Sequence, residues 1–287
     1  MTALRVTETV LAFPCEGERL LGVVSAPEGA PGTGDLGVVI VVGGPQVRAG
    51  SHRQFVQLAR HLAAQGLPTL RFDVRGMGDS GGEQHTFEHI TPDIKAAIDT
   101  LQTHCPSVRR IVLWGLCDAA AAALLYCDDT HDPRIAGLCL LNPWVRSEAT
   151  LARTQVKHYY GQRLLQKAFW AKLLSGRLNV ARSLTELLRK LGQASAKANA
   201  GQHLSFQDRM ARGLKEFGGP VQLILSGDDY TAKEFLEYAA INVHWHGLLD
   251  RPDLMRLDIP GTDHTFSSQE WRKTVENACI DWLKRYD

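Results

Sequence analysis

The 287-residue sequence has no apolar run long enough to span a membrane. It also lacks the basic-then-apolar start of a secretory signal, because charges are scattered through the opening MTALRVTETVLAFPCEGERL. A cytoplasmic protein is the expectation. There is no C-x-x-C pair: Cys15, Cys105, Cys117, Cys127, Cys139 and Cys279 lie far apart, so reduced thiols are expected rather than a zinc site or a disulfide framework. Charge of one sign is not in excess, the net value being +1, and no nucleic-acid motif appears, so no nucleic-acid partner is expected. Neither a metal nor a cofactor is called for by any motif. Internal repeats are missing too, and only GQASAKANAGQ (192–202) reads as a flexible segment.

What is present is a chain with 44% hydrophobic residues, enough for a large core, and two regions of different charge. Arg146 to Lys215 carries 14 Lys and Arg against 3 acids, while the remainder carries 18 basic and 28 acidic residues. RVTETVLAFP and ERLLGVVSAP read as an opening antiparallel pair. LGVVIVVGG, LPTLRFDVRG, RRIVLWGLC, IAGLCLLNP, PVQLILSGDD and DLMRLDIPGTDH are short and apolar, and each ends in a Gly- or Asp-bearing loop, as strands buried on both faces do. Helical stretches lie between them: RQFVQLARHLAAQG, TPDIKAAIDTLQTH, the Ala-rich run from Asp118, and SQEWRKTVENACIDWLKRY. Alternation of this kind implies a doubly wound, mostly parallel α/β sheet with its ligand site at the carboxyl ends of the strands. Strand patterns stop across the basic region. The expectation is a core formed by residues 1–143 and 217–287 and a helical cap inserted at 144–216.

VLWGLCDAAAAAL (112–124) carries the chemistry. A strand turning abruptly into a helix strains its apex residue and requires small neighbours two positions either side, and Gly115 and Ala119 flank Cys117 at that spacing. The helix N-terminus and a nearby histidine would favour a thiolate there. In this fold class a nucleophile is followed along the chain by an acid and then a histidine. GDDYTA after one late strand offers Asp228 and Asp229, and GTDHTF after the next offers His264. A loop aspartate is most often a turn former, so Asp228, next to Gly227, suits the turn and Asp229 is the favoured acid; Asp263 is a weaker rival. One oxyanion donor would be the backbone N–H of Asp118. Pro45 has no N–H, which leaves Gln46 or Gly44 as the second donor, unless Gly43-Gly44-Pro45 is only a tight turn.

Over nearly the whole chain these residues resemble the α/β-hydrolase superfamily, to which FDVRGMGDSGG (72–82) adds a structural D-x-R-G-x-G-x-S turn. VVGGPQVRAGSHRQF, GLCDAAAAAL, LSGDDYTAKEF and GTDHTFSS together resemble, more specifically, the hydrolase 1 group associated with bacterial exosortase A systems. The resemblance implies Cys117 as nucleophile, Asp229 as acid and His264 as base. Two departures separate the chain from an ordinary esterase: cysteine in place of serine, and Gly43 where many relatives carry the histidine of an H-G motif.

A cysteine nucleophile implies an S-acyl enzyme. Attack on a thioester exchanges one thioester for another at nearly balanced energy, so a thioesterase or acyl hydrolase is expected. Acyl transfer to an amine or alcohol is the alternative, and a silent binding protein on the same fold is a further one. The basic cap, with Tyr159, Tyr160, Phe169 and Trp170, suits the phosphates of an acyl-coenzyme A or an acidic acyl carrier protein. It would also suit an anionic membrane surface, unless the charges only solubilise the cap helices.

Overall fold

A computed structural model describes residues 4–29, 34–146 and 204–286. The strands are β1 (Val6–Cys15), β2 (Glu18–Pro27), β3 (Leu36–Val41), β4 (Thr69–Phe72), β5 (Arg110–Leu116), β6 (Ile135–Leu141), β7 (Val221–Ser226) and β8 (Leu254–Ile259). They form one sheet in the order β1-β2-β4-β3-β5-β6-β7-β8. β2 runs antiparallel to β1 and to β4, and every pairing from β4 through β8 is parallel. The α-helices among the described residues are α1 (Gln54–Ala64), α2 (Thr91–His104), α3 (Asp118–Thr130), α4 (Phe206–Glu216), α5 (Tyr230–Ile241) and α6 (Gln269–Leu283).

Helices cover both faces of the parallel strands, which is why those strands read as unbroken apolar runs. Successive side chains of a strand point to opposite faces. Val39 and Val41 of β3 and Leu113 of β5 therefore join one core with α2, α3, α4 and α5. Val38, Ile40 and Trp114 join the other with α1 and α6. Edge strand β1 is largely exposed.

The register brings the carboxyl ends of the central strands level. Val41 pairs with Gly115, Leu116 with Leu141, Leu141 with Ile224, and Ser226 with Ile259. The loops after β3, β5, β7 and β8 thus leave the sheet along one edge, where this topology places its ligands.

The chain divides into two compact units, residues 1–145 with 206–287 and residues 146–205. The core resumes at Phe206, earlier than the position 217 expected from sequence. Its reason is packing: the buried carboxylate of Asp128 on α3 accepts from Arg209 Nε (3.1 Å) and Arg212 Nη2 (2.9 Å) of α4, and Trp245 Nε1 donates to Gln207 O at 3.1 Å. The expected cap helices and Tyr159, Tyr160, Phe169 and Trp170 lie outside the described residues. Among the described residues no helix is long and apolar enough to cross a membrane. All six cysteines are free, the sulfurs of Cys139 and Cys279 lying 3.6 Å apart in the core.

The D-x-R-G turn is structural in detail. Asp73 Oδ1 accepts from Arg48 N at 2.6 Å and Asp73 Oδ2 from Asp79 N at 3.1 Å, while Asp93 takes Arg75 N, Nε and Nη2 at 2.8, 3.0 and 2.8 Å. These hydrogen bonds to two buried carboxylates lock the loop after β4 to α2 and to the loop after β3.

Candidate active site

The sharp turn between β5 and α3 places Cys117 at φ 65° and ψ −124°. A residue with a side chain held there costs of order 1–3 kcal/mol, so surrounding contacts must impose it. They do: Cys117 N donates to Leu141 O (2.8 Å), and Cys117 O accepts from Ala120 N (3.1 Å) and Trp144 N (3.2 Å). A Cβ on Gly115 would stand 2.5 Å from Ala119 O, so the α3 backbone can approach β5 only because position 115 is glycine. The side chain of Cys117 is half-buried at the level of the strand ends.

Asp229 follows β7 and serves as N-cap of α5, a helix absent from the expectations above. Its carboxylate accepts from Thr231 N at 3.2 Å and Ala232 N at 3.1 Å. Its Oδ2 also faces His264 Nδ1 at 2.8 Å. Burial pushes this carboxyl upward, but the hydrogen bond and charge of His264 and the two helix amides outweigh it and hold the pKa below the usual range. Asp228 instead sits in the turn, with its N–H on Thr262 O at 3.0 Å. Asp263 caps its own loop, accepting from Thr265 N (3.1 Å) and Ser267 N (3.0 Å).

His264 lies in the loop between β8 and α6. Its pKa is raised to about 10: hydrogen bonds to Asp229 and to the Cys117 side chain outweigh the cost of burial, and the charges of both partners add to them. Nδ1 faces Asp229, which leaves Nε2 for Cys117. Side chains from the ends of β5, β7 and β8 are thereby connected.

Sequence reading missed the residue that braces this loop. Asn142, fully buried just after β6 at φ 44°, donates through Nδ2 to Ser226 Oγ (2.8 Å) and His264 O (3.1 Å) and accepts from Ser226 N (2.9 Å). Asparagine tolerates that left-handed backbone. The available signal was a lone amide at the end of the apolar run IAGLCLLNP.

The loop after β3 departs from the simplest oxyanion arrangement. Gly44 N–H donates to Asp118 Oδ2 at 2.7 Å, so this candidate donor is engaged by the side chain of another candidate residue. Gln46 Oε1 accepts from Ser51 N at 3.1 Å, holding its side chain within the loop. Beside Gly43, Gly44 and Asp118 opens a cleft of about 350 Å³ with Val74, Met77 and Phe87 among its apolar walls. Among the described residues no group of three or more His, Cys, Asp or Glu side chains could hold a metal ion.

A mostly parallel sheet with a strained strand-to-helix turn after β5 and a hydrogen-bonded aspartate and histidine after β7 and β8 is the arrangement of an α/β-hydrolase fold. The family model described as serine aminopeptidase, S33, matches residues 36–233, and the chain belongs to this family. No curated protein sequence matches it. Among solved structures, the esterase Pf2001 of Pyrococcus furiosus superposes with a TM-score of 0.64 at 17% identity, covering 98% of this chain and 93% of that one. Est1E of Butyrivibrio proteoclasticus, solved with ferulic acid bound, gives 0.63 at 17% identity over 96% and 98%. DcsB in complex with its substrate analogue gives 0.64 at 16% identity over 98% and 100%. Those identities support the fold.

Proposed function

We propose that the protein is an acyl ester and thioester hydrolase that works through an S-acyl intermediate on Cys117. The observation that carries this reading is the connection from the strained Cys117 to His264 and from His264 to Asp229. In its neutral form His264 takes the thiol proton, and Asp229 holds the ring in orientation and favours the charged form that results. The sulfur electron pair attacks the acyl carbon, the leaving group departs with the proton from His264, and His264 then activates the water that hydrolyses the acyl enzyme.

Thioesters match this nucleophile best, since thiolate exchange is nearly balanced in energy while forming a thioester from an amide is uphill. The apolar walls beside Gly43 and Gly44 suit the acyl portion of such a donor. An acyl-coenzyme A or acyl carrier protein is the donor class we favour, and the sequence resemblance points to the exosortase A-associated group.

The direct test is intact-mass measurement after mixing the protein with butyryl-coenzyme A. A single butyryl adduct is expected, absent in Cys117→Ala and slow to form in His264→Ala. Adducts spread over several cysteines, or turnover undiminished in Cys117→Ala, would overturn the reading.

A further inference from the structure

An oxyanion hole works only when both of its donors reach one oxygen, each at about 2.7–3.1 Å. In this fold one donor sits on the nucleophile turn and the other on the loop after β3, so the contact between those two segments sets their spacing. Along that loop, Gly44 N–H is bonded to Asp118 Oδ2 at 2.7 Å and Pro45 has no N–H. Gln46 N–H is the first beyond them that has no hydrogen bond among the described residues, and it is free to act as the second donor.

Two sets of contacts fix the loop. Arg48 N–H donates to the buried Asp73 at 2.6 Å and Ser51 N–H to Gln46 Oε1 at 3.1 Å, which shape the loop and tie it to the segment after β4. Beyond the β3–β5 ladder, the Gly44–Asp118 bond is the only hydrogen bond among the described residues that joins the loop to the start of α3. The fit there is close: a Cβ on Gly43 would stand 2.1 Å from Asp118 Oδ1 and 2.6 Å from Ala119 N, so glycine at 43 lets the loop lie against the first turn of α3. Asp118 therefore belongs to both halves of the hole. Its backbone N–H, next to Cys117, is the first donor, and its side chain holds the segment that carries the second. The cleft walled by Val74, Met77 and Phe87 also borders Gly44 and Asp118, so water would reach the Gly44 amide once the carboxyl is gone.

We propose that the Asp118 side chain is a positioning residue for the oxyanion hole: by holding Gly44 N–H, its Oδ2 keeps the loop after β3 against the nucleophile turn, with Gln46 N–H aimed at the oxygen that Asp118 N–H also binds. This role rests on the reading of Cys117 as nucleophile. An acceptor oxygen is all that the contact uses, so it forms whether the carboxyl is ionised or neutral. During acylation the sulfur electron pair forms the S–C bond, the carbonyl π pair moves onto oxygen, and the two backbone N–H groups bond that oxygen. Collapse re-forms C=O and breaks the bond to the leaving group, which departs with the proton held by His264. The carboxyl of Asp118 touches no reacting atom and acts through Gly44.

The test pairs a reaction that forms an oxyanion with one that does not. Acylation of Cys117 by butyryl-coenzyme A needs the hole, whereas alkylation by iodoacetamide is a displacement at carbon and reports the nucleophile alone. Asp118→Ala should lower the saturating acylation rate by about 10²-fold, the cost of a donor displaced by an ångström or so, with half-saturation and alkylation like the parent's. Asp118→Asn keeps an acceptor oxygen for Gly44 N–H and should recover most of that loss. Hydrogen exchange at the Gly44 amide should quicken in Asp118→Ala and return toward the parent's rate in Asp118→Asn. Acylation of Asp118→Ala as fast as the parent, or faster, overturns the proposal, because the carboxyl would then be obstructing Gly44 as a donor. So does a parallel fall in acylation and alkylation, which assigns Asp118 to the nucleophile or the fold. An Asp118→Asn rate as low as that of Asp118→Ala, or Gly44 exchange unchanged in Asp118→Ala, overturns it as well. If the parent protein forms no adduct on Cys117, the nucleophile reading itself fails, a result separate from any of these.

Discussion

Asp229 holds two things at once: its Oδ2 lies 2.8 Å from His264 Nδ1, and the same carboxylate caps α5 through Thr231 N and Ala232 N. The helix fixes the carboxylate, and the carboxylate fixes the ring. Asp229→Asn separates the two roles, because asparagine caps helices about as well as aspartate but brings no charge to the imidazole. The unfolding midpoint should barely move. Turnover of butyryl-coenzyme A should drop by roughly 10³–10⁴-fold, and the His264 proton resonance in NMR should titrate well below the parent's value of about 10. A titration unchanged by the substitution would show that Asp229 does not set the charge of the ring.

The same shift predicts how stability depends on pH. In the folded chain His264 holds its proton up to about 10, whereas an unfolded histidine releases it near 6.5. The folded state binds the extra proton between those values, so the contribution is complete below pH 6.5 and is lost as pH rises to about 10. Urea unfolding at pH 6, 8 and 10 should show this decline in the parent and a flatter profile in His264→Gln. Parallel profiles for the two proteins would contradict it.

Much of this architecture was legible in the sequence, for physical reasons. Strands buried on both faces must be apolar throughout, so β3 to β8 announced themselves, and a sharp strand-to-helix turn leaves small residues at fixed distances from its apex. What the sequence hid depends on contacts between distant positions. α4 reads as one more basic amphipathic helix of the inserted region, and only its Arg209 and Arg212 against Asp128 on α3 assign it to the core. The choice between neighbouring Asp228 and Asp229 was open to argument from sequence, but the facing of one toward His264 is a fact of tertiary placement. Likewise, no local pattern reveals that the side chain of Asp118 reaches across to the amide of Gly44.

Backbone strain at the apex should be measurable apart from any chemistry. Cys117 sits at φ 65° and ψ −124°, a conformation glycine adopts freely and residues with a Cβ do not. Cys117→Ala and Cys117→Gly both remove the sulfur, but only glycine relieves the strain. Chemical denaturation should find Cys117→Gly more stable than Cys117→Ala by about 1 kcal/mol, although glycine ordinarily costs stability through chain entropy. Equal stabilities, or a less stable glycine variant, would mean that the turn is not strained.

Asn142 ties the end of β6 to β7 and to the histidine loop. Its amide bonds Ser226 Oγ, Ser226 N and His264 O. Asn142→Ala leaves these groups buried without their partner, a cost of about 1–3 kcal/mol. It also puts alanine at φ 44°, which adds strain of the same sign. Loss of the brace should loosen His264 more than Cys117. Hydrogen exchange should therefore quicken at residues 262–267 while the α3 amides keep their protection, and turnover should fall with little change in KM. Faster exchange across the whole chain would instead place the effect in global stability, and unchanged exchange in the loop would remove Asn142 from any part in positioning His264.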